Sequence, residues 1–214
     1  MHNIVTKLVS IQKEIQEKNN KTKIIAVSKT FPMSEIIPLI NYGHKDFGEN
    51  KVQEAVEKWT SIKNDFTDIK LHMIGKIQTN KVKYILPLFD YIHSLDNLRL
   101  AEKISNEKKK NSNDIKIFIQ VNIGDEEQKS GISPDNIEAF KNKCINELNL
   151  NIIGLMCLPP KNKEATVYFK EMSQLLKKTD LKELSMGMSN DYLEAIDNNS
   201  SYVRIGSKIF GIRS

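Results

Sequence analysis

The chain has 214 residues, and its 32 lysines and arginines against 27 aspartates and glutamates give it a net charge of +5. This length is compatible with one or two domains, and α/β barrels of about 200–250 residues fold as a single unit. Hydrophobic residues make up 39% of the chain, and no apolar stretch approaches the roughly 18 residues of a membrane span, so we expect a soluble protein without a membrane partner.

The basic character comes almost entirely from lysine, since only three of the basic residues are arginines. The lysines are spread along the chain without interleaved aromatic residues, which argues against a nucleic-acid partner. The two cysteines, Cys144 and Cys157, lie far apart and outside any CxxC pattern. This argues against a zinc site or another metal centre and against a disulfide framework, and it favours a reducing, cytoplasmic location.

The first 18 residues predict an amphipathic helix. Ile4, Val5, Leu8, Ile11 and Ile15 fall on one helical stripe, with charged residues off it. Because this segment has no continuous apolar stretch, it differs from a signal peptide. We therefore expect a helix that docks on the rest of the protein.

Eight short apolar runs follow, separated by longer segments with helical periodicity. The runs occupy residues 24–28, 45–48, 69–75, 91–95, 115–123, 151–158, 183–187 and 202–206. The helical segments occupy residues 34–42, 51–62, 79–86, 97–110, 134–148, 164–178 and 189–197. Strands separated by helices pair in parallel through right-handed crossovers, so this order predicts a (β/α)8 TIM barrel with an extra N-terminal helix.

Local signals agree with this order. Ser133 before Pro134, Asp96 and Ser189 are N-cap candidates for the helices that follow them. No linker or low-complexity tract divides the chain, so we expect a single barrel domain over residues 1–214. A doubly wound open sheet is the alternative, but the sequence has no GxGxxG pattern after the first strand.

In a parallel barrel the active site lies at the carboxyl ends of the strands, which directs attention to Lys29. This lysine directly follows the first apolar run, and desolvation there would favour a neutral amine that can attack a carbonyl. A lysine that merely snorkels from a strand end is the alternative.

The last two predicted strands end in segments that contain small and hydroxyl residues, Ser185-Met186-Gly187-Met188-Ser189 at the seventh and Arg204-Ile205-Gly206-Ser207 at the eighth. Small residues let backbone N–H groups approach phosphate oxygens, and hydroxyls add donors. Taken alone, each such Gly and Ser pair is more often a simple turn. Together with a lysine on the first strand, such a cradle would hold a phosphorylated carbonyl compound at both ends.

Arg204, inside the last apolar run, is a candidate partner for a cofactor ring. Pyridoxal phosphate (PLP) enzymes tune the cofactor through an Asp or Arg beside the pyridine nitrogen, and an arginine there favours an unprotonated ring that is a poor electron sink. An arginine paired with a carboxylate at a strand end is the alternative. His72, His93 and Cys157 are better explained as hydrogen-bonded or packed barrel residues than as bases, metal ligands or nucleophiles.

Several motifs along the chain resemble the pyridoxal-phosphate homeostasis protein family, whose members use a single alanine-racemase-type barrel. The matching segments include residues 26–30, 47–54, 72–81, 93–96, 121–124, 154–160, 184–191 and 203–211. They cover nearly the whole chain in order. Asn199 stands where many members have glycine, and Ser201 stands where threonine is usual.

The resemblance implies a protein that buffers and delivers PLP, holding it as a Schiff base on Lys29, without established catalytic activity. It matches Arg204 to the arginine that faces the pyridine nitrogen. The other matched cofactor-binding positions are a residue near the ring, the lining of the phosphate site and the phosphate cradle, namely Asn50, Met188, Ser189, Gly206 and Ser207. It further implies PLP-dependent apoenzymes as recipients, and since no heptad pattern or long apolar edge demands a partner subunit, we expect a monomer.

Other functions stay open at this point. A PLP-dependent racemase needs a second acid/base on the opposite face of the cofactor, which alanine racemases take from a C-terminal β-domain, and we expect this chain to lack that domain because it ends at Ser214. A class I aldolase-type barrel would use Lys29 directly on a sugar phosphate. A non-catalytic barrel would bind a macromolecule through its lysines.

Overall fold

The computed structural model of the protein describes residues 2–18, 21–110, 114–124, 126 and 130–211, so that Ser214 lies outside the described residues. Eight parallel strands close into a barrel in sequence order. The strands are β1 (Lys23–Val27), β2 (Asp46–Glu49), β3 (Lys70–Met73), β4 (Tyr91–Leu95), β5 (Lys116–Val121), β6 (Asn151–Cys157), β7 (Glu183–Met188) and β8 (Tyr202–Ile205). β8 returns to pair with β1, with Ala26 beside Ile205, which closes the sheet. The predicted (β/α)8 TIM barrel is therefore confirmed.

Helices connect the strands and form the outer layer. They are α1 (Asn3–Lys18), α2 (Met33–Asn41), α3 (Val52–Asp65), α4 (Val82–Ile85), α5 (Leu98–Lys108), α6 (Ile137–Asn142), α7 (Ala165–Lys177), α8 (Tyr192–Asp197) and α9 (Ser207–Phe210). Single 3₁₀ turns at Thr79–Lys81 and Pro134–Asn136 precede α4 and α6, and a π-helical turn at Lys143–Glu147 continues α6. Within the described ranges, none of the helices combines the length and apolarity that crossing a membrane requires.

The N-terminal helix docks as its sequence predicts. All five apolar residues of its stripe are buried, namely Ile4, Val5, Leu8, Ile11 and Ile15. α1 packs against α2, α8 and α9. On that side Glu14 accepts a hydrogen bond from the Tyr192 hydroxyl, and the same hydroxyl accepts one from Lys208 Nζ at 2.9 Å. α1 therefore supports the helices that follow β7 and β8.

The core has an outer and an inner part. Most buried apolar side chains lie between the sheet and the helices. A smaller cluster packs inside the barrel and comprises Ile25, Tyr91, Phe118, Met156 and Tyr202. Two histidines complete this inner layer, since His72 stacks on Tyr91 with ring centroids 4.2 Å apart and His93 stacks on Phe118 at 4.3 Å. The barrel interior is thus packed with aromatic and histidine rings, as expected of a closed eight-stranded sheet.

Two of the three predicted N-caps are wrong. The N-cap of α5 is Asn97 and not Asp96. Asn97 has extended backbone angles, and its side chain accepts a hydrogen bond from the Leu100 N–H at 2.9 Å. α8 begins after Asp191, so Ser189 lies too early to cap it. Ser133 does precede Pro134 at the start of a helical turn, but its side chain makes no cap hydrogen bond.

Candidate functional site

The predicted site residues follow four neighbouring strands on one side of the barrel mouth. In the closed strand order, β7, β8, β1 and β2 are adjacent. Ser189 follows β7, Gly206 and Ser207 follow β8, Lys29 follows β1 and Asn50 follows β2. The fold therefore gathers these backbone positions on one half of the carboxyl-terminal rim, where barrel sites form.

Lys29 lies in a short turn whose backbone is bound by one lysine of α3. Lys58 Nζ donates hydrogen bonds to the backbone carbonyl of Ser28 at 2.9 Å and to that of Phe31 at 3.2 Å. The Lys29 side chain is partly buried, between the core and the solvent. Because carbonyls before and after Lys29 bind the same ammonium group, the position of this backbone is set by the protein.

A buried carboxylate lies beneath this turn. Glu49, the last residue of β2, has no exposed surface. Its Oε1 accepts hydrogen bonds from Ser28 Oγ at 2.8 Å and from Trp59 Nε1 at 3.0 Å, and Lys58 Nζ lies 2.8 Å away. A buried charge without its partner is strongly destabilising, so this cluster ties β1, β2 and α3 together.

Glu54 adds a second carboxylate to the same cluster. It accepts a hydrogen bond from Lys58 Nζ at 2.9 Å and another from the N–H of Thr30. Thr30 has a φ of 66°, in the left-handed region that side-chain-bearing residues rarely adopt. The hydrogen bond to Glu54 thus helps to hold an unfavourable conformation next to Lys29.

Asn50 brings an unsatisfied polar atom to the rim. Its side-chain oxygen is buried and has no hydrogen-bond partner among the described residues. Its backbone lies so close to Gly75, which follows β3, that a Cβ at position 75 would lie 2.2 Å from the Asn50 carbonyl oxygen. Glycine is required there, and the unpaired amide oxygen suits a polar group of a ligand.

Arg204 is buried in β8, in register with Met188 on β7 and Ile25 on β1. Its Nη1 donates to the carbonyl and hydroxyl oxygens of Ser185 at 2.7 and 2.6 Å, and its Nη2 donates to the carbonyl of Cys157 at 2.9 Å. These acceptors are all neutral, which disfavours the alternative of a carboxylate partner. Burial lowers the pKa of the guanidinium, but from a value so high that it keeps its charge.

The turn after β7 depends on Gly187. Its φ of 90° is in the region that favours glycine, and a Cβ there would lie 2.5 Å from the Cβ of Ala195 on α8. Met188 follows and is 40% exposed at the rim, and its N–H donates to Asp191 Oδ1 at 2.6 Å. α8 therefore packs closely on the end of β7 and fixes where the chain turns towards Ser189.

Ser189, Gly206 and Ser207 meet at the start of α9. Ser189 Oγ accepts a hydrogen bond from the Lys208 N–H at 3.4 Å, and Gly206 directly precedes the first helical residue, Ser207. The turn after β1 packs on the same helix, because Phe31 stacks on Phe210 with ring centroids 4.8 Å apart. The turn that carries Lys29 thus packs on the helix that begins at Ser207.

His72 and His93 are barrel residues, as the sequence predicts, and they are hydrogen-bonded to each other at 2.9 Å. Burial lowers the pKa of both rings. Burial also raises the pKa of the Cys157 thiol to about 12, so this thiol stays protonated and inert. In the described ranges no group of three or more His, Cys, Asp and Glu side chains is arranged to hold a metal ion.

Comparison with known proteins identifies the family. The family described as "Alanine racemase, N-terminal domain" matches residues 4–214. The pyridoxal phosphate homeostasis protein of Aquifex aeolicus is 37% identical to this chain over 203 residues, which are 91% of this chain and 88% of the relative. The chain belongs to the pyridoxal phosphate homeostasis protein family.

Solved structures agree with this family. PipY of Synechococcus elongatus, determined with PLP bound, matches with a TM-score of 0.87 at 29% identity and covers 97% of this chain and 100% of its own. An alanine racemase of Clostridium difficile matches with a TM-score of 0.74 at 17% identity, and the match covers 57% of that enzyme. The racemase likeness shows the shared barrel alone.

Sequence reasoning placed the homeostasis-protein motifs but missed the cluster around Lys58. One signal was present, because Glu54 and Lys58 have the i,i+4 spacing of a helical ion pair. The same spacing occurs between exposed residues on solvated helix faces, so it does not by itself indicate a buried cluster. Only the fold shows that Glu49 lies buried against the same ammonium group.

Proposed function

We propose that this protein binds pyridoxal 5′-phosphate and serves the intracellular homeostasis of this cofactor by storing and delivering it. The curated relatives of Aquifex aeolicus and Haemophilus influenzae are both named pyridoxal phosphate homeostasis proteins, and PipY is solved with PLP bound. The observation that carries the proposal is the gathering of Lys29, the Arg204 strand and the Ser189 and Ser207 turns on adjacent strands.

The residues at this rim fit the two reactive ends of PLP. When bound, the cofactor supplies an aldehyde carbon that is electrophilic and a conjugated pyridine ring. Lys29 Nζ is the amine that would attach to the aldehyde, with loss of water. Ser189, Gly206 and Ser207 would hold the phosphate through hydroxyl and backbone N–H groups.

Arg204, Asn50 and Met188 would contact the remaining parts of the cofactor. A guanidinium has only donors, so Arg204 can bind an unprotonated ring nitrogen and cannot supply the carboxylate that a protonated ring needs. The unpaired oxygen of Asn50 suits a polar group near the ring, and Met188 would line the phosphate site. A ring that stays unprotonated withdraws electrons weakly, which suits storage better than racemisation.

We further propose that residues 1–214 act as a single PLP-binding barrel domain, as a cytoplasmic monomer, with PLP-dependent apoenzymes as recipients. The closed barrel supports this, because a sheet without free edges needs no partner strand. The names of the curated relatives favour this function over a racemase.

The absorption spectrum of purified protein incubated with PLP tests the proposal. We expect a yellow protein whose colour is lost on borohydride reduction while the cofactor stays attached. Lys29→Ala should fold and remain colourless after desalting. Lys76→Ala, which removes an exposed lysine that follows β3, is the matched control and should be yellow. Colour that survives in Lys29→Ala would refute the assignment.

A further inference from the structure

A continuous chain of hydrogen bonds crosses the barrel interior from Asp46 to Arg204. Asp46 Oδ1 lies 3.0 Å from His72 Nε2, and His72 Nδ1 lies 2.9 Å from His93 Nε2. His93 Nδ1 lies 2.8 Å from Ser185 Oγ, which accepts a hydrogen bond from Arg204 Nη1 at 2.6 Å. The chain thus joins the first residue of β2 to the guanidinium of the candidate site.

The two ends of this chain fix the direction of every hydrogen bond in it. The carboxylate of Asp46 only accepts, so His72 donates from Nε2 and, as a neutral ring, accepts at Nδ1. His93 must then donate from Nε2 and accept at Nδ1, which requires the Ser185 hydroxyl as donor. From the other end, the guanidinium of Arg204 only donates, so Ser185 Oγ accepts from it and keeps its own proton for His93. Both ends give the same arrangement.

Burial and aromatic packing keep the middle of this hydrogen-bond chain neutral between its charged ends. The side chains of His72, His93 and Ser185 have no exposed surface, and aromatic rings stack on both histidines. Burial lowers the pKa of His72 and lowers that of His93 well below its usual value. Burial acts to raise the pKa of Asp46, but the hydrogen bond that His72 donates and the charge of Lys23 act against it, and the net shift of that pKa is downward. In this buried interior, where the effective dielectric constant is low, the hydrogen bonds are strong and directional.

We propose that Asp46, His72, His93 and Ser185 are positioning residues for Arg204, and that they hold its guanidinium in the orientation that faces the ring of bound PLP. Among the described residues, three of its five N–H groups already donate to oxygens of the barrel, so the protein and not the ligand sets the plane of the fork. The effect on PLP binding rests on the proposed function. The hydrogen-bond chain itself is already present in the protein without cofactor.

NMR of isotope-labelled histidine rings tests the chain in protein without PLP. We expect His72 and His93 to be neutral near pH 7, each with its proton on Nε2. A proton on Nδ1 of either ring, or a charged His93, would overturn the proposal. Because this measurement needs no cofactor, it separates the failure of the chain from the failure of PLP binding.

Variants of His93 test the effect on the cofactor. Loss of a hydrogen bond that orients a charged group should weaken PLP affinity about tenfold in His93→Leu and shift the absorption maximum of the bound cofactor. His93→Gln should restore most of both, because its amide can accept from Ser185 and donate to His72. Phe118→Leu thins the same aromatic layer without entering the chain and should resemble the wild type.

An unchanged affinity and spectrum in His93→Leu would overturn the positioning role, as would an equal loss in Phe118→Leu. Wild-type protein that takes up no PLP would refute the proposed function instead, and the ring tautomers would still decide whether the chain exists as described.

Discussion

Lys58 holds the backbone on both sides of Lys29, the residue proposed to attach to PLP. It binds the carbonyls of Ser28 and Phe31 and neutralises Glu49, whose carboxylate is fully buried. Lys58→Met removes the cation and leaves that carboxylate unpaired. We expect a loss of about 3 kcal/mol in the free energy of unfolding, measured by chemical denaturation, because breaking a buried pair costs roughly 3–5 kcal/mol.

The same substitution at an exposed ion pair provides the control for Lys58. Lys45 and its partner Asp68 are both more than half exposed, so Lys45→Met should keep the wild-type unfolding midpoint. Lys58→Met should in addition reduce the fraction of protein that borohydride fixes to PLP. A Lys58→Met variant as stable as Lys45→Met would contradict the role assigned to the cluster.

Asn199 shows how a departure from the family pattern is accommodated by one residue. The chain has a φ of 66° there, in the left-handed region that glycine and, less readily, asparagine adopt. Asn199→Ala should therefore lower the free energy of unfolding by about 1 kcal/mol, whereas Asn199→Gly should change it by a few tenths. Thermal unfolding of the two variants checks this, and equal effects would argue against a left-handed turn.

At the scale of elements, the junction of β7 and α8 depends on two separable properties of Gly187. Its φ is 90°, and a Cβ would lie 2.5 Å from Ala195. Gly43 has a similar φ of 93° with nothing within 4 Å of an added Cβ. Gly43→Ala should thus lower the free energy of unfolding by about 1–2 kcal/mol, which is the cost of the left-handed backbone conformation for alanine. Gly187→Ala should lower it by at least about 1 kcal/mol more, because of the steric clash.

PLP binding offers a second readout for this pair. Because Gly187 precedes Met188 and Ser189, Gly187→Ala should also weaken PLP affinity, while Gly43→Ala, far from the rim, should not. Equal stabilities in denaturant titrations, or equal affinities, would show that α8 does not pack against β7 as closely as the structure indicates.

The strands and their order could be predicted because strands and helices alternate in a parallel barrel. In the sequence this alternation appears as short apolar runs separated by segments with helical periodicity. Strand bounds agreed closely at β4 and β6, but the predicted run at 69–75 extended past the observed Lys70–Met73, since the apolar pattern continues to Gly75 after pairing ends. The N-caps at Asp96 and Ser189 could not be placed, because a cap depends on backbone angles at one residue.

At the scale of the whole molecule, barrel closure creates contacts that no local pattern indicates. The rim positions were predictable, because carboxyl ends of parallel strands meet at one edge. The hydrogen-bond chain from Asp46 to Arg204 was not predictable, because it joins β2, β3, β4, β7 and β8 through the barrel interior. His72 and His93 were correctly interpreted as barrel residues, but their shared hydrogen bond depends on the register of neighbouring strands.

Three histidines with lowered pKa values make global stability dependent on pH. Burial lowers the pKa of His44, His72 and His93 in the folded protein. At these three histidines the unfolded chain therefore binds more protons than the folded one below about pH 6.5. Their contribution to stability is fully present above that pH and is lost as the pH drops through and below it. The slope should reach at most about 1.4 kcal/mol per pH unit for each histidine.

Denaturant titrations between pH 8 and pH 5 measure this dependence. His93→Gln should flatten the slope, since it removes one of the groups whose protonation opposes folding. Stability that rises on acidification, or a slope unaffected by His93→Gln, would contradict the buried, neutral state of the ring.

Peptide mapping shows whether PLP attaches to the amine of Lys29. Protein loaded with PLP is reduced with borohydride, digested and analysed by mass spectrometry. We expect a single pyridoxyl adduct per chain, located on Lys29. An adduct on another lysine, adducts spread over the many surface lysines, or none at all would contradict it.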